Sequence, residues 1–380
     1  MKAFHIADTH IKLGARWDEC RRVLNHFARR VEEENPDIVL HAGDVFDARS
    51  VPKEMEFAEE WFQRMANVCS VVIVGGNHDD YTELVGFRRL ESKHEIRVAI
   101  APQDMVIAGL HLICIPWPTL SVVMMNQHVL SGANQSAMDH LRSVFAHFGK
   151  SAPLAMPRMA LIHAMVSGSK TTAGQPLRNC DFSLGLEDLA FLNCDAIAMG
   201  HIHNEQQWKG NVRYCGSPFH TDWGDWADKS FTIWHYDAKG ILRTELEQLP
   251  AHQMIDVPMV FEPSSCNLVI TDEEKLYVGE AKNFSTQELR LSYSCSPEHA
   301  SLAHNAAKNW ERQLRQYEAC DVKLNPKVVV SSAARVPEVS TAISPEDKLN
   351  AYMKSRGEDP TTEDNQRVLE KFRSLTNETT

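Results

Sequence analysis

Between Ala3 and Met199 the chain repeatedly sets a short apolar run after a stretch with helical periodicity. The runs are Ala3–Ala7, Asp37–Ala42, Ser70–Val74, Leu110–Ile115, Met159–Ile162 and Ala196–Met199. Segments such as Trp17–Glu33 and Lys53–Ala66 place apolar residues three and four apart between them. This alternation predicts an α/β domain, because a short apolar run suits a buried strand and the intervening stripe suits a helix packed on the sheet.

After about residue 210 the texture changes. Val212–Tyr214 and Phe231–Tyr236 read as short strands, and Asp237-Ala238-Lys239-Gly240 is a hairpin turn leading to a partner at Ile241–Leu246. A smaller α+β unit follows over residues 251–336. In it, Glu288–Tyr293 alternates Leu289, Leu291 and Tyr293 on one face. Ser296 reads as an N-cap with Pro297 at the first helical position, the helix running to about Tyr317. Val322–Val330 reads as a strand broken by Pro326. Residues 337–380 are a polar linker and two short amphipathic helices. One starts at Ser344-Pro345 with Leu349 and Met353 on a face and ends at Gly357, and the other covers Glu363–Leu375.

Composition narrows the function classes. No run approaches the roughly 20 apolar residues of a membrane helix, and Met1–Asp8 lacks the apolar core of a signal peptide. Nine cysteines stand singly with no C-x-x-C pair, which suits free thiols in a reducing compartment. A cytoplasmic protein is expected. No P-loop, G-x-S-x-G or H-E-x-x-H occurs, so ATP hydrolysis, serine acyl transfer and zincin proteolysis find no support. The net charge of −12 counts against a nucleic-acid partner, although bound divalent cations would offset several acidic groups.

The chemistry lies in five polar elements, each after an apolar run. They are Asp8-Thr9-His10, Gly43-Asp44-Val45-Phe46-Asp47, Gly76-Asn77-His78-Asp79, His163, and Gly200-His201-Ile202-His203. Loops at the carboxyl ends of strands are where α/β sheets bind ligands. Asp8 and His10, two apart, are expected to share one side of an extended segment, as are His201 and His203. Taken singly, each has a bland explanation: a histidine at a strand end is usually a satisfied polar residue, and glycine beside Asp or Asn is ordinary turn chemistry. The joint order of five elements is what points further. Two carboxylates, an amide oxygen and four imidazoles without thiolate suit Mn²⁺, with Fe²⁺, Zn²⁺ or Mg²⁺ as alternatives. They are too many for one ion and fit two if one carboxylate bridges, an arrangement that activates water against a phosphoryl group.

These elements resemble the calcineurin-like metallophosphoesterases, whose signature is D-x-H, G-D-x-x-D, G-N-H-[DE], a later His and G-H-x-H. The resemblance implies a sandwich of two mixed sheets flanked by helices, with Asp8, His10 and His203 on one ion, Asp44 bridging, and Asn77, His163 and His201 on the other. It gives His78 a catalytic role beside the scissile phosphate and Asp47 a hydrogen bond that orients His78 and keeps it protonated. Within that family, Gly-Asp-Val-Phe-Asp followed by Pro52, then Tyr214-Cys215-Gly216-Ser217-Pro218 and Lys229-Ser230-Phe231, are similar to SbcD-type DNA exonuclease subunits. That similarity implies domains at 1–250 (nuclease), 251–336 (a cap that positions DNA) and 337–380 (helices that bind an SbcC-like coiled-coil ATPase). It further implies a homodimer. The stretch Asp222-Trp223-Gly224-Asp225-Trp226 departs from a more usual Phe-Gly-Glu-like sequence, leaving the details of that loop open.

A phosphodiesterase acting on small molecules, a phosphoprotein phosphatase and a non-catalytic scaffold for the ATPase stay open as alternatives. The tail helices have a rival reading too, packing on the body of the chain. Arg29-Arg30 and Arg88-Arg89 read as solvated charge, Trp117, Trp223 and Trp226 as buried or partly buried rings, and His5 and His41 as core residues. His220 is placed near the site without a role.

Overall fold

The computed structural model of the protein describes residues 1–118, 133–150, 156–171, 183–209, 211–223, 225, 228–271, 287–316, 321–329 and 345–356, with isolated positions up to 372. By compactness the chain forms two units. The first is Met1–Asp256 with Val278–Arg290 and Leu314–Lys323, and the second is Val257–Tyr277, Leu291–Gln313 and Leu324–Thr380.

Two six-stranded mixed sheets make up the first unit. One contains β1 (Lys2–Ile6), β2 (Ile38–His41), β3 (Ser70–Val74), β4 (Ile96–Ala99), β11 (Ser230–Asp237) and β12 (Gly240–Gln248), in the order β12-β11-β1-β2-β3-β4. Neighbours from β1 to β4 run parallel, and the hairpin β11–β12 joins antiparallel to β1. The other contains β5 (Gln103–Ile107), β6 (Leu110–Ile115), β7 (Arg158–His163), β8 (Ala196–Gly200), β9 (Gln206–Trp208) and β10 (Val212–Tyr214), in the order β5-β6-β7-β8-β10-β9. Its centre, β6-β7-β8-β10, is parallel.

The period of two along each strand sorts the side chains into layers. In β1, Phe4 and Ile6 join Phe27 and Trp61 of helices α1 (Trp17–Glu34) and α2 (Pro52–Ala66) in one core. Ala3 and Ala7 face the other way, into a second core with Leu112 and Cys114 of β6 and Leu161 of β7. Ile113, Ile115, Ala160 and Ile162 then point outward again, against Leu141 and Phe145 of the helix Ala133–Lys150. The layers therefore run helix, sheet, sheet, helix, the sandwich expected. The helical stripes are the physical reason: α1 buries Val23, Leu24, Phe27, Ala28 and Val31, one face at three- and four-residue spacing.

Several local expectations need correction. Strands β4 and β5 did not stand out as apolar runs, because both are sheet edges. In β5, Asp104 and Val106 are exposed and Gln103 and Met105 only half-buried, so little apolar sequence is demanded there. Pro326 does not break its strand: β16 (Asp321–Val328) runs through it. The four-stranded sheet is ordered β14 (Asn267–Ile270), β13 (Gln253–Glu262), β15 (Gln287–Cys295), β16. An edge strand tolerates a residue with no N–H to donate. Pro297 opens a 3₁₀ turn, Pro297–His299, before the α-helix Ala300–Gln316 begins, and Ser296 Oγ bonds His299 Nδ1 at 2.9 Å rather than a backbone amide.

In the second unit Tyr293 Oη meets His304 Nδ1 at 3.1 Å and Trp310 Nε1 donates to the Leu268 carbonyl at 3.3 Å, tying helix to sheet. The helix Pro345–Ser355 buries Met353 and half-buries Leu349. The stretch from 337 to 344, Gly357 and most of Glu363–Leu375 lie outside the described residues. Among those described, no helix is long and apolar enough to cross a membrane.

Candidate metal centre

The five polar elements converge where β1, β2 and β3 of one sheet and β7 and β8 of the other come to their carboxyl ends. Asp8 and His10 lie beyond β1, Asp44 beyond β2, Asn77 and His78 beyond β3, His163 ends β7, and His201 and His203 follow β8. Asp8, Asp44, His10, His163 and His201 are buried, and Asn77 and His78 are exposed.

Side-chain atoms meet at close range. His10 Nε2 lies 3.1 Å from His203 Nε2. Asn77 Oδ1 lies 3.0 Å from both His163 Nε2 and His201 Nδ1. Asp44 Oδ2 lies between these two groups, 3.8 Å from His10 Nε2 and 3.4 Å from His163 Nε2. Possible ligand atoms of Asp8, His10 and His203 all fall within 4.8 Å of one another, as do those of Asp44, His163 and His201.

The backbone that produces this convergence is not the extended segment the spacing predicts. Asp8 and His10 adopt left-handed φ values of 53° and 38°, and Asp44 and His201 have φ of 54° and 106°. Such conformations cost about 1–3 kcal/mol each in a non-glycine residue and persist only where surrounding contacts over-determine them. Here they do. Asp8 and His10 donate backbone N–H bonds to the carbonyls of Gly43 (2.9 Å) and Asp44 (3.1 Å), and Ile11 donates to Val45 (2.8 Å). Thr9 Oγ1 adds a bond to the Val45 carbonyl at 3.0 Å. Asp79 fastens the next loop, accepting from Phe46 N (3.1 Å) and Gly76 N (2.9 Å). Gly76 permits this approach, since a Cβ there would overlap the Asp44 carboxylate and backbone nitrogen.

Single contacts aim the remaining rings. His163 Nδ1 donates to the Ala42 carbonyl at 2.7 Å, turning Nε2 toward Asn77 and Asp44. Both Asp8 oxygens accept from His201 N at 3.0 Å. Trp117 packs against the rings of His163 and His201, at 5.8 and 4.7 Å between centroids. His78 is held twice: its N–H donates to Asp44 Oδ1 at 2.9 Å and its Nδ1 to the backbone carbonyl of Asp47 at 2.8 Å. The bond expected between Asp47 and His78 thus runs through the Asp47 main chain. The Asp47 carboxylate instead pairs with Lys12 Nζ at 2.6 Å and lies 3.6 Å from His10 Nδ1.

Electrostatically the cluster is contested. Burial pushes the Asp8 carboxyl up to about 8, with the Asp44 charge adding to it. Burial also raises the Asp44 carboxyl, but His163, His10 and His78 outweigh it and hold Asp44 well below the usual carboxylate range. Burial would depress His163, yet Asp44 and Asp8 hold its ring at about 9, while burial takes His201 down to about 3. Buried carboxylates and imidazoles in mutual conflict fit a site completed by positive charge. Oxygen and imidazole donors without thiolate fit divalent cations of intermediate hardness.

The other candidates take their places around this centre. His5 and His41 are fully buried in β1 and β2, as expected of core residues. Arg30 of α1 pairs with Glu34 of the same helix and with Glu247 of β12, and Arg88 bonds the Val98 carbonyl. Trp223 carries Arg290 over its ring at 4.8 Å, and Trp226 lies outside the described residues. His220 is buried at a cavity of about 560 Å³ that adjoins His10 and Asp47. Sequence reasoning gave no role to Asp79 or Lys229, although both stand inside quoted motifs, nor to Thr221 and Asp225; Thr221 and Lys229 bond His203, and Asp225 bonds both of them.

The sequence profile of the calcineurin-like phosphoesterases matches residues 1–205. Among curated proteins, the chain is similar to the SbcD subunit of the nuclease SbcCD from Staphylococcus epidermidis, 22% identical over 230 residues, and from Bacillus subtilis, 25% identical over 252 residues. Each alignment takes in 57% of this chain and 61% of the relative, so the chain spans about three fifths of the length of these relatives. Among solved structures it is similar to TT1561 of Thermus thermophilus (TM-score 0.40, 12% identity, 65% of this chain and 98% of that one). It is also similar to a dimetal phosphatase of Danio rerio (TM-score 0.43, 9% identity, 66% and 96%).

Proposed function

Because the chain belongs to the calcineurin-like phosphoesterase family, we propose that it is a two-metal DNA nuclease of the SbcD kind, hydrolysing phosphodiester bonds at duplex ends and in single strands or hairpins. The observation that carries the proposal is the position of Asp44, whose Oδ2 faces His10 on one side and His163 on the other. A carboxylate between two sets of donors is what a pair of cations requires. Asp8, His10 and His203 would hold one cation, Asn77, His163 and His201 the other, with Asp44 shared. Mn²⁺ is the metal proposed.

Two divalent cations supply Lewis acidity, drawing charge from phosphoryl oxygens and easing deprotonation of water. The chain's own residues do the rest. With Nδ1–H committed to the Asp47 carbonyl, His78 keeps Nε2 as the ring atom available to hold a proton beside the leaving oxygen. Asn77 and His78 are the exposed members of a cluster whose other side chains are buried or, for His203, half-buried, the open approach a phosphate needs. Trp117 shields the imidazoles of His163 and His201 from behind.

DNA as substrate is supported by the similarity to two SbcD subunits and by a second unit that a small-molecule esterase has no use for. The same similarity supports a homodimer in the cytoplasm. Its tail helices, Pro345–Ser355 and the segment around 365–372, would engage a coiled-coil ATPase of the SbcC kind.

The substrate is tested by comparison. With Mn²⁺ and no ATP, end-labelled linear duplex and hairpin DNA should be cut at rates well above those for a chromogenic phosphodiester or a phosphopeptide. Turnover of the chromogenic ester with intact DNA would transfer the assignment to small phosphodiesters.

A further inference from the structure

We infer that Thr221, Asp225 and Lys229 form a relay that sets the tautomer and position of His203, making them positioning residues for one cation site; the inference rests on the metal reading above. The segment after β10 contains Asp222-Trp223-Gly224-Asp225-Trp226, the stretch that departs from the family pattern. Ser217 and Thr221 before that stretch and Lys229 after it all bond His203.

Thr221 Oγ1 lies 2.7 Å from His203 Nδ1 and 3.4 Å from Asp225 Oδ2, and Thr221 N donates to the same carboxylate oxygen at 2.9 Å. Asp225 is buried and pairs with the buried Lys229 at 3.0 Å. The ammonium spends its three donors on Asp225 Oδ2, Ser217 Oγ at 3.1 Å and the His203 carbonyl at 3.0 Å. Ser217 N donates to that carbonyl as well, at 3.0 Å.

His203 is therefore gripped at both ends, its carbonyl by Lys229 and Ser217 and its ring by Thr221. A hydroxyl has one proton to give. With Asp225 accepting that proton, Thr221 Oγ1 presents a lone pair to the ring, and His203 must carry its hydrogen on Nδ1. Its Nε2 lone pair is then left facing His10 Nε2, 3.1 Å away, where a ligand atom is needed. An acceptor on the remote nitrogen of a ligating histidine fixes tautomer and orientation, and its loss typically costs about 10–100-fold in metal affinity. The five-element signature ends at His203 and so takes in neither Thr221 nor Asp225, although Ser217 and Lys229 stand in the two SbcD-like stretches that follow it.

The test measures Mn²⁺ binding by the free-ion EPR signal for the wild-type chain, Thr221→Val and Thr221→Ser, with thermal unfolding of each metal-free chain as the folding control. The expected result is two bound Mn²⁺ in wild type and in Thr221→Ser. Thr221→Val should bind one of the two about 10–100-fold more weakly at unchanged metal-free stability. Equal affinity in Thr221→Val overturns the relay and leaves the metal centre standing. A wild-type chain that binds no Mn²⁺ overturns both. Were Thr221→Val to unfold, the ¹⁵N shifts of the His203 ring in the metal-free wild type decide: an Nδ1–H tautomer supports the relay and an Nε2–H tautomer overturns it.

Discussion

Asp44→Asn should abolish hydrolysis, lowering the rate on the order of 10³-fold or more, since loss of even one preorganised electrostatic contact at a reacting phosphoryl or acyl group costs about 10²–10³-fold. The substitution keeps the volume of the side chain and an oxygen to accept from His78 N, so the fold should persist. What it removes is the charge between His10 and His163. Metal removal is the parallel experiment. Mn²⁺ at a hundred times its dissociation constant should stabilise the wild-type chain by about 2.7 kcal/mol for each site, an increment that chelation reverses and that Asp44→Asn largely lacks. An Asp44→Asn chain with wild-type turnover and the full Mn²⁺-induced rise in unfolding temperature would remove the bridging role.

His78→Ala should separate binding from chemistry. Its backbone N–H, not its ring, bonds Asp44, so truncating the side chain leaves the carboxylate in place. The ring is exposed, its Nδ1 engages only the Asp47 carbonyl among the described contacts, and it meets the His10 ring edge-on at 5.0 Å between centroids without bonding it. The expected result is a fall in turnover of about 10²–10⁴-fold, the range for a positioned general acid or base. Mn²⁺ stoichiometry and affinity should be retained. A variant that loses metal along with activity would make His78 a structural part of the cluster, and one that loses neither would leave the leaving-group proton without a donor.

How far these residues were readable before the fold was known depends on what each one does. The strands that carry them are buried on both faces, so their apolar runs stand out in the sequence, and the polar residues that end them stand out in turn. Asp8, Asp44, Asn77, His163 and His203 come together from five separate strand ends because the parallel order of β1-β2-β3 and β7-β8 puts those ends on one side. The edge strands β4 and β5 gave no such signal, whereas the edge strand β12 was marked by the hairpin turn that precedes it.

The means of convergence was less legible than the convergence itself. A two-residue spacing suggested strand alternation for Asp8 and His10, whereas left-handed turns, braced by Gly43–Val45, aim them. Backbone carbonyls are equally invisible in a sequence. The acceptor on His78 is the main chain of Asp47, and the acceptor on His163 is the main chain of Ala42. Thr221, Asp225 and Lys229 act through hydrogen bonds set by a loop of irregular backbone, which no periodicity encodes.

Crystals grown with Mn²⁺ and recorded at the manganese absorption edge put the account to its most direct test. Two anomalous peaks roughly 3.5–4 Å apart are expected, one beside Asp8, His10 and His203, the other beside Asn77, His163 and His201, with Asp44 between them. A single peak, or peaks away from these side chains, would contradict it.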